Sequence, residues 1–106
     1  MNTESVNLRR IKVPLADGTQ IEPGDFAWDF DSVETGGDRS QPTHRLYLCL
    51  PGERGCFEAI DVQRGARGGP RVWGWDGNED KPTLTPSIHS PGVWHGWLTA
   101  GRLVSC

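Results

Sequence analysis

The chain has 106 residues, a formal net charge of −3 and 24% charged residues. That length fits a single domain, and so mild a negative charge argues against nucleic acid or an anionic membrane as the partner. No apolar run approaches the roughly 20 residues of a membrane span, and the N-terminus shows no basic-then-apolar signal. Three cysteines without such a signal favour a reducing cytoplasm over a disulfide framework.

The aliphatic content is low for a folded domain. Leu, Ile, Val and Phe together make up about a fifth of the chain, close to the roughly 20% level below which disorder is expected. Five tryptophans offset part of this deficit, since one buried aromatic removes about 150–250 Å² from water. Domains with so small a core often need a disulfide, a metal ion or a partner subunit.

The first half of the chain predicts two strands. Residues 1–5 are polar and predicted to be disordered. Residues 6–13 carry apolar side chains at near-alternate positions, which indicates a strand. Phe26, Trp28 and Phe30 then alternate with small or polar residues, a period-2 pattern that places one aromatic face in the core. A polar segment without periodicity follows and predicts a loop.

The second half predicts further strands joined by turns. A hairpin is expected from residues 44–50 and 57–62, followed by extended segments at 72–75, 83–88, 93–98 and 102–105. Thr99-Ala100-Gly101 predicts a short hairpin turn, with Gly101 at a positive φ. No segment holds a helical period for ten residues. The predicted fold is therefore one all-β domain over 1–106, or β with one short helix, built as a small antiparallel sheet or sandwich of hairpins.

One set of side chains is a candidate metal site: Cys49, Cys56, His95 and Cys106. Zinc takes four such ligands in tetrahedral geometry, commonly as two pairs from two hairpins. Six residues separate Cys49 from Cys56, more than in a zinc knuckle, although a hairpin could still bring them face to face. The alternative is that Cys49 packs as a small hydrophobic residue and Cys106 is a free thiol. His44 and His89 are interpreted as solvated loop or strand-edge residues.

Catalytic residues and a ligand-stacking surface have weaker support in the sequence. No Ser-His-Asp or Cys-His-Asn arrangement can be read from the pattern, so no catalytic and no cofactor-binding residue is predicted. Trp73, Trp75, Trp94 and Trp97 could form a stacking platform for a sugar or a base. Trp73 and Trp75 share one strand face, whereas Trp94 and Trp97 point to opposite faces. With few aliphatic residues available, core positions are the favoured interpretation.

Three motifs carry a family resemblance: Trp73-Gly74-Trp75-Asp76-Gly77-Asn78, then Lys81-Pro82-Thr83-Leu84-Thr85-Pro86-Ser87-Ile88, then His95-Gly96-Trp97. Together they resemble a phage and prophage family of small proteins of unknown function, often labelled ammonia monooxygenase or anaerobic dehydrogenase. The resemblance covers roughly residues 46–106. It implies that Cys49, Cys56, His95 and Cys106 correspond to family positions that look like a metal site. Trp94 and Ser105 depart from the family pattern, which leaves open that this copy keeps the fold without the metal.

The resulting hypothesis is a phage or prophage accessory protein that is not an enzyme. It would act as a small binding or structural module stabilised by one structural zinc, since a catalytic zinc keeps an open position beside a general base. The alternatives are a metal-dependent hydrolase or oxidoreductase, and a carbohydrate- or nucleic-acid-binding module that uses exposed tryptophans. The expected partner is a protein, such as a phage component, rather than a membrane or nucleic acid. The expected location is the host cytoplasm or the virion.

Overall fold

A computed structural model describes residues 5–11, 20–31, 40–65 and 72–106 of the chain. The described residues form ten strands and one 3-10 helix (Asp29–Asp31): β1 (Ser5–Asn7), β2 (Arg9–Arg10), β3 (Asp25–Trp28), β4 (Thr43–Leu48), β5 (Glu58–Arg64), β6 (Trp73–Trp75), β7 (Leu84–Thr85), β8 (Ile88–Ser90), β9 (Trp94–Thr99) and β10 (Arg102–Ser105). The all-β prediction is confirmed. Within the described residues, no helix has the length and apolar character needed to cross a membrane.

The strands form two sheets. The smaller sheet has the order β1-β10-β9-β8 and is antiparallel throughout. The larger sheet has the order β2-β3-β4-β5-β6-β7. Within it, β2 pairs with β3 and β5 with β6 in parallel, while the other neighbours are antiparallel. Because β7 belongs to the larger sheet and β8 to the smaller, the chain passes from one sheet to the other between residues 85 and 88.

Aromatic side chains fill much of the core, as the alternation around Phe26 predicts. Phe26 and Trp28 are fully buried and Phe30 is nearly so. The ring of Trp28 stacks on Phe30 at 5.4 Å between centroids and meets Trp75 at 4.5 Å. Leu46, from the neighbouring strand, is also fully buried in this cluster. The tryptophan rings therefore occupy space that aliphatic side chains fill in most domains.

Several local predictions can be compared with the structure. The hairpin of β4 and β5 is confirmed, with Leu46 opposite Ile60. The turn between β9 and β10 is confirmed as well, with positive φ at both Ala100 and Gly101. The predicted disorder of residues 1–5 lies outside the described residues except at Ser5, which begins β1 instead.

Candidate active site

Ser87 lies where the chain crosses between the two sheets. Leu84 and Thr85 pair with β6 in the larger sheet, and Ile88 begins β8 in the smaller one. Pro86 and Ser87 form the link, and the Thr85–Pro86 peptide bond is cis. Two prolines in this stretch favour extended backbone in the residues before them. Ser87 is thereby held at a corner of the domain, half-buried, next to the edge strand β8.

The β8–β9 hairpin brings this serine to a histidine. In its register Ile88 lies opposite Gly96 and His89 lies opposite His95. Since side chains alternate across a strand, Ser87, His89 and His95 project from the same face of the smaller sheet. Ser87 Oγ lies 3.2 Å from His95 Nε2, which is hydrogen-bonding distance.

Contacts from both sheets fix the segment that carries Ser87. Trp73 on β6 donates its indole N–H to the Ser87 carbonyl oxygen at 3.2 Å. On the other side, the Ala100 amide donates to Thr83 Oγ1 at 2.8 Å and the Gly101 amide to the Pro82 carbonyl at 3.0 Å. The two motifs singled out in the sequence, around Trp73 and around Ser87, are therefore bonded to each other.

The surroundings of this pair are open. Ser87 is half-buried, whereas His89 and His95 are exposed. The rings of His89 and His95 lie 4.8 Å apart between centroids, and the ring of Trp97 lies 6.5 Å from that of His95. Trp97 is 45% exposed, the most exposed large apolar side chain among the described residues. The face that carries the serine and both histidines is thus accessible to a macromolecule.

This arrangement has a recognisable chemical capacity. A serine hydroxyl becomes a nucleophile when a base accepts its proton, and a neutral imidazole at hydrogen-bonding distance is the usual base. A third group commonly orients that base. Here His89 is the ring that contacts His95. Ser87 and His95 therefore meet the geometric requirement for a nucleophile and its base, and His89 lies in ring contact with that base.

The four predicted metal ligands fall in different environments. Cys49 is buried, and its Sγ donates to the Glu53 carbonyl at 3.3 Å. Cys56 and Cys106 are exposed, and the Cys106 amide donates to the His95 carbonyl at 3.0 Å. Among the described residues, no three His, Cys, Asp or Glu side chains form a group that could hold a metal ion. The zinc site stays a prediction.

The solvated interpretation is right for His89 and wrong for His44. His44 is 5% exposed, and its Nδ1 lies 3.3 Å from Asp29 Oδ1. Its ring packs against Phe30 at 4.9 Å and Trp75 at 6.0 Å between centroids. His44 therefore belongs to the aromatic core, which the polar character of the residue conceals in the sequence.

Comparison with known proteins identifies the family. A family model described as "Bacterial ubiquitination-like system serine protease (BubE)" matches residues 19–106, most of the chain. The chain belongs to this family. Comparison with curated proteins and with solved structures finds no match.

Membership of the BubE family corrects the predicted family and the predicted non-enzymatic function. The resemblance to a phage and prophage family of unknown function is wrong as an assignment, although all its motifs lie within the matched range. The family description names a serine protease, so the prediction of a non-enzymatic phage accessory module is also wrong. The description is consistent with a protein as substrate or partner.

Sequence reasoning missed Ser87 and its pairing with His95. Both residues lie in segments that the sequence predicts to be extended, 83–88 and 93–98. The prediction did not pair these two segments as neighbouring strands. A three-residue turn at 91–93, with the Val93 amide bonded to the Ser90 carbonyl at 2.9 Å, sets the register. With that register, residues 87 and 95 fall on one face.

Proposed function

We propose that the chain is a serine protease in which Ser87 is the nucleophile and His95 the general base. The observation that carries this proposal is the 3.2 Å separation of Ser87 Oγ and His95 Nε2. Membership of a family described as serine proteases of a bacterial ubiquitination-like system supports it. The proposed substrate is a protein of such a system, and the bond cleaved is an amide.

The proposed reaction follows from the two side chains. Ser87 Oγ attacks the carbonyl carbon of the scissile amide while His95 Nε2 takes the hydroxyl proton. The same proton passes to the leaving nitrogen as the C–N bond breaks, which leaves an ester on Ser87. A water molecule, deprotonated by His95, then hydrolyses that ester and restores the serine.

His89 takes the role of a positioning residue in this proposal. Its ring lies beside that of His95 at 4.8 Å, and its strand pairs directly with the strand of His95. An imidazole fixed by a neighbour spends less time in orientations that cannot accept the proton. The open face around Trp97 fits a protein substrate better than a small molecule, because small-molecule sites enclose most of their ligand.

A fluorophosphonate probe tests this proposal without knowledge of the natural substrate. Such probes phosphonylate an activated serine hydroxyl and release fluoride. We expect labelling of the wild-type chain at Ser87, identified by peptide mass spectrometry. Ser87→Ala should abolish labelling, and His95→Ala should slow it by about 10³-fold. Ser5→Ala, on the far edge strand of the same sheet, is the control and should label like the wild type. Labelling that survives Ser87→Ala would refute the assignment.

A further inference from the structure

A pocket of about 260 Å³ lies beside the edge strand β8, between the two sheets. Leu50, Ile60 and Ile88 line it and are at most 5% exposed, so they form its floor. Half-buried Trp73 contributes a wall, and exposed Pro91 lies at the rim. The lining is mostly apolar. A pocket of this character on a protein surface is suited to an apolar side chain.

The pocket adjoins the proposed catalytic group. His89 lines it and also contacts His95. Ile88, on its floor, directly follows Ser87 in the chain. Trp73, its wall, donates the hydrogen bond to the Ser87 carbonyl. A side chain bound in the pocket would therefore lie beside a part of β8 that is within one or two residues of Ser87.

We propose that this pocket receives an aliphatic side chain of the protein substrate and sets the cleavage specificity. This inference rests on the proposed function. β8 is the last strand of its sheet within the described residues, so a substrate segment can extend along it as an added strand. Alternate side chains of such a segment point to opposite faces. The side chains on one face of the added segment then point toward the pocket, while the backbone of the segment passes Ser87.

The volume and the charge of the pocket determine which class of substrate side chain it can bind. The volume of about 260 Å³ is below the roughly 300–1,000 Å³ of small-molecule sites and suits one side chain. Among the described residues of the lining, Glu58 is the one carboxylate, and it accepts a hydrogen bond from Ser90 Oγ at 3.2 Å. Burial, together with the charge of Glu58, raises the pKa of nearby Glu53. An acidic substrate side chain would meet this carboxylate and is therefore disfavoured.

Peptide boronic acids test the inference on the intact chain. These compounds form a reversible tetrahedral adduct with a nucleophilic serine, so each one slows fluorophosphonate labelling of Ser87. Leucine, glycine or aspartate is placed in turn at each of four positions of an otherwise constant peptide. We expect leucine at one position to improve protection about tenfold or more over glycine, and aspartate there to weaken it.

Two substitutions at one position provide the matched comparison. Ser90→Phe fills the pocket and should remove the leucine preference. Ser90→Ala loses the hydrogen bond to Glu58 but leaves the space open, so it should keep the preference. Equal leucine preference in the wild type and Ser90→Phe, or no leucine preference at any position, overturns the pocket assignment while Ser87 labelling still supports the protease. Absence of labelling at Ser87 in the wild type refutes both proposals. Thermal unfolding confirms that each variant is folded.

Discussion

Trp73 and Ser87 are joined by one hydrogen bond, from the indole N–H to the serine carbonyl at 3.2 Å. Trp73 belongs to the larger sheet, whereas Ser87 leads into the smaller one. The bond therefore spans the junction that positions the proposed nucleophile. Its removal should matter more for the reactivity of Ser87 than for the stability of the fold.

Trp73→Phe tests this relationship. The substitution keeps an aromatic ring in the pocket wall but removes the donor, so the Ser87 segment loses one fixed contact. We expect fluorophosphonate labelling to slow by about tenfold, with a loss of about 0.5–1.5 kcal/mol in the free energy of unfolding.

Trp94→Phe is the matched control for that change. Trp94 also donates one indole hydrogen bond, to Ser105 Oγ at 2.9 Å, and it is also half-buried. Its loss should cost similar stability and leave the labelling rate close to that of the wild type. Equal slowing of labelling in both variants would mean that the rate falls because the fold as a whole is destabilised, not because the contact to Ser87 is lost.

The sequence predicted the elements of the fold better than the site. Alternation at Phe26 and Trp28 identifies a core strand because burial on one face leaves a period of two. The serine–histidine pair depends instead on how two strands are aligned, and a shift of one residue would send His95 to the other face. That alignment comes from the short turn at residues 91–93, whose conformation composition alone does not specify.

The predicted zinc ligands depend on side-chain directions, which spacing along the sequence does not give. Cys49 and Cys56 flank one turn, which suggested a pair facing a common ion. In the structure, Cys49 points into the domain and donates to the Glu53 carbonyl, whereas Cys56 is exposed. Spacing along the sequence could not distinguish these directions, because the turn is not a regular continuation of the β4–β5 ladder. The zinc content of the purified protein tests the prediction directly.

Gly96 is expected to tolerate no side chain. A Cβ at this position would collide with the Val104 carbonyl oxygen and the Trp94 ring. Because backbone is one of the obstructing groups, Gly96→Ala should lower the free energy of unfolding by about 1–3 kcal/mol. It should also disturb the neighbouring His95 and slow labelling of Ser87.

Thr99→Ala is the control, because Thr99 is exposed on the same strand. It should change the free energy of unfolding by less than about 0.5 kcal/mol, as measured by urea unfolding. A stable Gly96→Ala variant would contradict this packing.

Arg10 connects distant parts of the chain through three carboxylates. Its guanidinium lies 2.8 Å from Asp31, 3.1 Å from Glu79 and 3.0 Å from Asp80. These contacts raise the pKa of Arg10, with the hydrogen bond to Asp31 the largest cause and burial opposing it. The side chain is only 26% exposed, so solvent screens the pair with Asp31 less than a surface pair.

Arg10→Met should therefore destabilise the domain by about 1–3 kcal/mol, because it removes the guanidinium that these carboxylates contact. Arg10→Lys should recover only part of this loss, since an ammonium group cannot form the two-pronged contact with Asp31. Arg45→Met is the control: its partner is Asp61, and both side chains are about half-exposed. Its cost should be clearly smaller than that of Arg10→Met in the same urea titration. Equal costs at the two positions would argue against the role of Arg10.

Cys49 should make the stability of the fold depend on alkaline pH. Burial raises the pKa of its thiol above the ordinary value of 9.0, while the backbone N–H groups of Cys56 and Gly55 oppose that shift. The folded state therefore favours the neutral thiol. The stability that this thiol contributes is complete below pH 9.0 and is lost as the pH rises through the higher pKa of the folded state.

Unfolding in urea at about pH 8 and about pH 10 measures this loss of stability. The stability advantage of the wild type over Cys49→Ala should shrink at the higher pH. Cys56→Ala, which removes an exposed thiol, is the control. A Cys49→Ala difference that grows with pH would contradict the buried, protonated thiol.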